Sequence, residues 1–252
     1  MSTAAPSSSL AVQRGVLGAV LLVLCWEGLA RGLHLPSYVL PAVSEILAGA
    51  WSKRALLAEA AGYTLLEALV GYGLGCLIGI GLAVAITMLP PLRAVILPAA
   101  TAINAVPVVG YSPLILLWFG IGVVSKIVMV AMAVSFTVFL STLAGLDRVD
   151  RRAVDLMRSF GAGRFSILWR LRLPTALPLL LAGMRVSTVR SVIIAIITEM
   201  LGAYGGLGWV IYQAVLQIDF VQVWSAIFVA SAASLSFFGL IGLLERKILF
   251  WR

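Results

Sequence analysis

Four ionisable side chains stand inside long apolar runs: Glu67, Arg185, Arg190 and Glu199. A charge in hydrocarbon costs a few kcal/mol on insertion scales, so it calls for a partner or a water-lined cavity. The chemistry such residues offer is charge pairing between helices, or a path for an ion or proton. Arg185 and Glu199 are separated by fourteen positions, nearly four helical turns, and share a face without touching. Glu67 is therefore expected to pair across helices with Arg185 or Arg190. The plain alternative is that each lies near an interface and snorkels to water. Asn104, Tyr111 and Ser112 bring polar groups to a run interrupted by Pro107 and Pro113. Prolines free backbone carbonyls that need other partners, so a kinked or broken helix is expected there, either lining a pathway or simply fitting its neighbours.

The second constellation is "DRVDRRAVDLMRSFGAGRFSILWRLRLP", residues 147–174, with seven arginines in an otherwise apolar chain. Asp150 suits a helix N-cap and Gly161 a left-handed C-terminal stop, leaving about ten residues between them. Along that helix Ala153, Val154, Met157 and Phe160 form an apolar stripe, while Arg151, Arg152, Asp155, Arg158 and Ser159 face away. Gly161 and Gly163 bracket a turn around Ala162, and Arg164 to Arg172 read as a second short helix ended by Pro174 and Pro178. A helix of about ten residues is roughly 15 Å long, too short to span and marginal alone. It has to dock. Anionic headgroups would suit the arginines, but the defined turn and the acid at Asp155 favour a protein socket.

Other chemistry is poorly provided for. There is no G-x-x-x-x-G-K-[ST] phosphate loop. The single histidine, His34, cannot build a nucleophilic triad or a metal site, and Cys25 and Cys76 both lie in apolar runs as small core residues. A catalytic role, a resident metal and a cofactor of the chain's own are therefore not expected.

The elements that must hold these residues are membrane helices. The chain is 62% hydrophobic and 11% charged over 252 residues, too little polar surface for a water-facing fold. Its net charge of +8 does not indicate nucleic-acid binding, because the basic residues interrupt apolar spans rather than cover a solvated face. Six runs are long enough to cross hydrocarbon about 30 Å thick: Gly15–Leu33, Gly62–Leu89, Val95–Ile121, Val124–Leu146, Leu179–Leu201 and Val223–Leu244. The first is kept as a span rather than a cleaved signal, since it has no small-x-small site and carries Glu27. With residues 1–14 as an inner tail, twelve basic residues fall on the cytoplasmic side and four (Arg31, Lys53, Arg54 and Lys126) on the outer side. That asymmetry predicts both termini in the cytoplasm, with 15–252 as one membrane domain. In the outer segment 34–61, Pro36 and Pro41 break the helix, and a short amphipathic helix from Ser44 ends near Trp51 as an interface anchor. Residues 202–220 are too glycine-rich for a seventh span and read as irregular or re-entrant. Gly71, Gly75, Gly79 and Ala83 recur every four residues and predict close helix packing, with Glu67 one step further along that stripe.

These residues resemble the permeases of bacterial ABC importers, which carry Glu-Ala-Ala, three residues, Gly, nine residues and Ile-x-Leu-Pro between two spans. Here Gly161 is followed by nine residues and Leu171-Arg172-Leu173-Pro174; Asp155 takes the acid position, and Leu156 and Met157 replace the alanines. "LPAVSEIL", "VPVVGYSPLILLWFGIG", "LAGLDRVD", "LPTALPLLLAGMRV", "ITEMLGAYGGLGWVI" and "LLERKILFW" resemble the branch serving sulfonates, taurine, nitrate, bicarbonate and some vitamin precursors. Glu67 stands where that branch tends to carry arginine, and Arg190 where it tends to be apolar. The resemblance implies a type I ABC-importer permease fold in the cell inner membrane with a cytoplasmic coupling helix over 150–164. It also implies a second permease copy and two cytoplasmic ATPase subunits that bind ATP and Mg. A substrate-binding protein would deliver cargo to 34–61 and 202–220, the cargo being a small anion such as a sulfonate, taurine or nitrate, or a vitamin precursor. A stand-alone channel or ion-coupled transporter using Glu67, Arg190 and Glu199 as a relay is the competing reading. It has no need for a capped helix at that spacing.

Overall fold

Long apolar stretches without partners for a sheet leave the helix as the way to satisfy every backbone group in lipid. The computed structural model describes residues 8–34 and 36–248, and every regular element among them is helical. Tail residues 1–7 and the closing residues 249–252, with the last part of "LLERKILFW" and Arg252, lie outside the described residues. In chain order the helices are α1 (Ser8–Gly32), α2 (Val43–Ser52), α3 (Arg54–Met88), α4 (Arg93–Ala105), α5 (Val108–Phe119) and α6 (Val123–Asp147). They continue as α7 (Arg151–Ser159), α8 (Arg164–Ile167), α9 (Leu173–Leu201), α10 (Leu207–Leu216) and α11 (Phe220–Ile248). Five stretches are long and apolar enough to cross a membrane, and α4 with α5 makes a sixth if taken as one broken span. Five of the six expected spans are present as single helical stretches, and the third is present only as the bent pair.

Their ends differ from expectation in instructive ways. α3 begins at Arg54 rather than Gly62 and has 35 residues, roughly 52 Å, so it outreaches the hydrocarbon. The third run is cut in two at Val106–Pro107, and the halves meet at 100°. Val106 is extended (φ −79, ψ 126), as the residue before a proline prefers. Neither half, at 13 and 12 residues, reaches across alone. The largest correction concerns Pro174 and Pro178, which do not end a helix. Residues Arg164–Leu201 run on as one helical span of 38 residues. A π turn over Leu168–Arg172 widens the helix just ahead of Pro174, where an N–H is missing, and Thr175 Oγ1 donates to Leu171 O at 2.7 Å.

α3, α6 and α9 form the centre. Cβ atoms placed on Gly71 and Gly75 would lie 2.6 and 2.7 Å from Cβ of Val130 and Val134, so the glycine stripe is what lets α3 meet α6. Ala83 continues it into a cluster with Phe139, Leu143, Leu146 and Ala176. A matching contact joins α6 to α9, where Gly145 faces Ala176 and Gly183 faces Ser141. α1 stays at the edge, held by Trp26, whose ring meets Trp224 edge-on at 4.9 Å and whose Nε1 donates to Pro41 O. The helix expected from Ser44 is α2, with Trp51 72% exposed at its end. The 202–220 segment holds a helix, α10, rather than irregular chain; at 10 residues it is too short to cross.

Candidate functional site

Two places gather the chemistry. The first is the polar segment between α6 and α9. Asp150 caps α7 by accepting the Arg152 N–H at 2.9 Å. At the other end Gly161 adopts φ +77, its N–H donates to Arg158 O, and the Ala162 N–H donates to Met157 O at 3.0 Å. This pair of bonds is a Schellman stop, and it asks for glycine at the left-handed position. Nine residues are fixed as a rod. Val154 is buried beneath it, with Ala153 and Met157 half-buried. Phe160 departs from the expected inward stripe: it is 81% exposed, because it sits at the cap where the chain turns off. Arg158 is exposed, as expected. One turn from Val154, it lines a cavity under α7 with Arg164, Arg172, Leu168 and the end of α3. Leu156, Phe160, Phe165 and Trp169 along the segment are all exposed, as are Arg151 and Arg152. Phe165 and Trp169 rings lie 6.0 Å apart. Asp155 is exposed and, among the described residues, pairs with Arg158 at 3.4 Å; Ser159 Oγ donates to Leu156 O, and Pro174 is exposed at the foot of α9. Behind the rod, Arg93 grips Asp147 through two hydrogen bonds of 3.1 and 2.7 Å, tying α4 to the end of α6.

The second place is the buried polar set between α3, α6 and α9. Glu67 does not pair with either arginine. Arg185 reaches Glu245 at 3.5 Å and lies over the Phe238 ring at 4.5 Å. Arg190 donates to Thr137 Oγ1 (3.1 Å) and Asn104 Oδ1 (3.3 Å). Depth explains the miss. Thr64, one turn from Glu67, touches Glu199 at 2.7 Å, so Glu67 is level with Glu199, and Arg190 lies about 13 Å further along α9. Glu199 has a structural task that sequence reasoning missed: it accepts the Gly208 N–H at 2.6 Å, while Thr64 Oγ1 accepts that of Leu207 at 2.8 Å. Together they cap α10 from outside its own chain segment.

Lys126 is the other surprise. Counted with the outer loops, it is instead fully buried, its ammonium donating to the Ile121 and Gly122 carbonyls. Glu67 and Lys126 share the lining of a cavity of about 120 Å³ with Tyr63, Tyr204 and Gly205, and Glu67 Oε2 has no hydrogen-bond partner among the described residues. Asn104 and Tyr111 line a separate cavity of about 170 Å³ with Ser135 and Phe139. Ser112 does not join them; it is buried and bonds Val109 O within α5. Outside the spans, Lys53 holds Asp219 (2.8 Å) and Gln222 (2.5 Å), pinning the α2–α3 junction to α11. Burial pushes the Asp219 carboxyl up, but the Lys53 ammonium and the Gln222 N–H outweigh it and hold it below its usual range.

Residues 75–250 match the family described as the binding-protein-dependent transport system inner membrane component. A probable ABC transporter permease protein of Haemophilus influenzae is 30% identical, covering 92% of this chain and 95% of its own. The formylaminopyrimidine transport permease protein ThiX of Halalkalibacterium halodurans is 29% identical over 92% and 93% of the two chains. The taurine transport system permease protein TauC of Escherichia coli is 34% identical over 55% of this chain and 50% of its own. Among solved structures, an inward-facing form of the MetNI methionine ABC transporter superposes with a TM-score of 0.62 at 18% identity, covering 76% of this chain and 97% of that one. That likeness fixes the fold alone.

Proposed function

Because the chain belongs to the family of binding-protein-dependent transport system inner membrane components, we propose that α7 and the turn after it are the handle by which a cytoplasmic ATPase drives it. The protein is a multi-pass inner-membrane permease subunit of an ABC importer, and in this family hydrolysis falls to a partner subunit. One observation carries the docking role: a rod capped at both ends offers exposed Leu156 and Phe160 on the same element as exposed Arg151 and Arg152. Such a patch, apolar with a charged rim, fits a protein groove better than water.

The fold supplies a transmission. From Arg164 the chain runs as one helical span of 38 residues to Leu201, roughly 57 Å. Its outer end carries Glu199, which caps α10. Displacing α7 and α8 would therefore tilt α9 and move α10 with it, a rigid-body route between two access states. In this reading both termini are cytoplasmic, two copies of the permease enclose the pathway, and each copy receives one ATPase subunit that binds ATP and Mg. A binding protein meets the α2 and α10 side. The cargo is a small oxyanion such as a sulfonate, taurine or nitrate. Support comes from the taurine permease among the relatives and from Arg190, which is held at the α4–α6–α9 crossing by neutral partners only. The formylaminopyrimidine permease names the alternative class, a vitamin precursor.

The test is uptake by vesicles containing the assembled transporter, with Gly161→Arg as the perturbation. The φ of +77 disfavours arginine by about 1–2 kcal/mol, enough to undo a nine-residue rod without touching the membrane core. Insertion should persist while ATP-dependent uptake is lost. Normal uptake in that variant would refute the handle.

A further inference from the structure

The cavity beneath α7 asks what fills it. Three arginines from three different elements line it: Arg158 at the end of α7, Arg164 at the start of α8 and Arg172 in the π turn. Among the described residues no acidic one shares the lining, which is completed by Val154, Ile167, Leu168 and the α3 end at Thr87, Met88 and Pro90. The nearest competitor, Asp155, meets Arg158 at 3.4 Å with both side chains mostly exposed, a contact worth little. Like charges brought to one concavity repel unless an anion sits among them. The volume is about 140 Å³, several times the roughly 10–15 Å³ that one water needs, and enough for a phosphate group.

Leu168 also lines a second cavity, a groove of about 610 Å³. Its walls are apolar: Ile80 and Val84 of α3 face Phe165, Trp169, Leu173 and Leu177. The basic cavity and the apolar groove thus share Leu168 of the helix that follows Gly163, and both run along the last turns of α3. Trp169 is exposed at their border, the position an indole takes at a membrane–water boundary.

From this juxtaposition we infer that the foot of α8 and α9 is a binding site for an anionic phospholipid. Its headgroup phosphate sits among Arg158, Arg164 and Arg172, and an acyl chain lies in the groove along α3. Guanidinium groups bind phosphate through paired hydrogen bonds, and basic pockets between membrane helices select acidic headgroups. The cavity is lined by Val154 and Arg158 of α7 and not by Leu156 or Phe160, so the ATPase can meet those two residues while the lipid keeps its site. The bound lipid wedges the rod against the end of α3.

The experiment purifies the full chain in detergent and measures retained lipid by native mass spectrometry after exposure to mixed phosphatidylglycerol and phosphatidylcholine. Phosphatidylglycerol is expected to stay bound, and Arg158→Gln/Arg164→Gln/Arg172→Gln to reduce it at least tenfold. A triple variant of equal charge change elsewhere in the segment, Arg151→Gln/Arg152→Gln/Arg170→Gln, keeps it. Equal loss in both triples means diffuse attraction and overturns the site, as does equal retention of phosphatidylcholine. Inorganic phosphate is the second arm: if it displaces the lipid completely at matched concentration, the groove contributes nothing and the lipid assignment fails. Repeating the measurement with the ATPase bound separates a protein occupant, since loss of lipid there shows the partner filling the cavity. Should the triple variant misfold, a photoactivatable phosphatidylglycerol on the wild-type chain decides, with adducts expected within 80–90, at 154–158 or within 164–177, and adducts only elsewhere contradicting the inference.

Discussion

Replacing Phe160 with alanine separates docking from folding. Phe160 is 81% exposed, so truncation removes almost no internal contact. A phenylalanine covers roughly 150–250 Å² when fully buried, which leaves roughly 120–200 Å² for a partner to cover. At about 25 cal/mol per Å² this is ~3–5 kcal/mol. Side-chain ordering and incomplete coverage offset part of it, leaving about 2 kcal/mol, the level of an interface hot spot. About 2 kcal/mol is roughly thirtyfold in Kd. The assay is the Kd of the purified ATPase subunit for detergent-solubilised permease, read beside the thermal midpoint of the permease alone. The expectation is a Kd weakened roughly thirtyfold with the midpoint unmoved. An unchanged Kd would refute the reasoning, and so would a lowered midpoint, because Phe160 would then belong to the fold rather than to a partner.

Three further outcomes follow from the same geometry. Gly75→Leu should lower the thermal midpoint sharply, because even a Cβ there meets Val134 Cβ at 2.7 Å and Ala131 O at 2.8 Å; Gly73→Leu, with open space around it, should not. Thr64→Val removes the acceptor of the Leu207 N–H and the donor to Glu199, a loss of about 1–3 kcal/mol; hydrogen exchange at Leu207 and Gly208 should accelerate while α3 stays protected. Asp219→Asn tests the Lys53 link. The depressed carboxyl contributes stability that is present above the unfolded value, about pH 4, and lost as pH falls through the lower folded value. The midpoint difference between wild type and variant should therefore be constant near neutrality and vanish in acid. At a half-exposed pair it should be no more than about 1 kcal/mol.

Residues that act through chain-local chemistry were readable beforehand. Asp150 and Gly161 announced both ends of α7, and the four-residue step from Gly71 to Ala83 announced the α3–α6 contact. Each of these signals depends on neighbours within a few positions. What could not be read depends on depth and on distant partners. Glu67 misses the arginines because α9 carries them roughly two and a half to four turns from Glu199, which no spacing on α3 reveals. Lys126 looked like a loop cation because its partners are two carbonyls just ahead of its own helix. Pro174 and Pro178 looked like stops, yet a π turn absorbs the first of them. Phe160 fitted the apolar stripe by angle, but the chain leaves the helix at that residue. Arg158 is exposed as the stripe required, and only its place in the cavity lining with Arg164 and Arg172 needed the fold. The split at Pro107 was legible as a break and not as an angle.

The central claim is that α7 and the turn after it meet the ATPase. A photo-cross-linking residue at position 160 in the assembled transporter reads this contact directly. The account predicts an adduct to the ATPase subunit, sensitive to nucleotide. An adduct confined to lipid or to the external binding protein would contradict it.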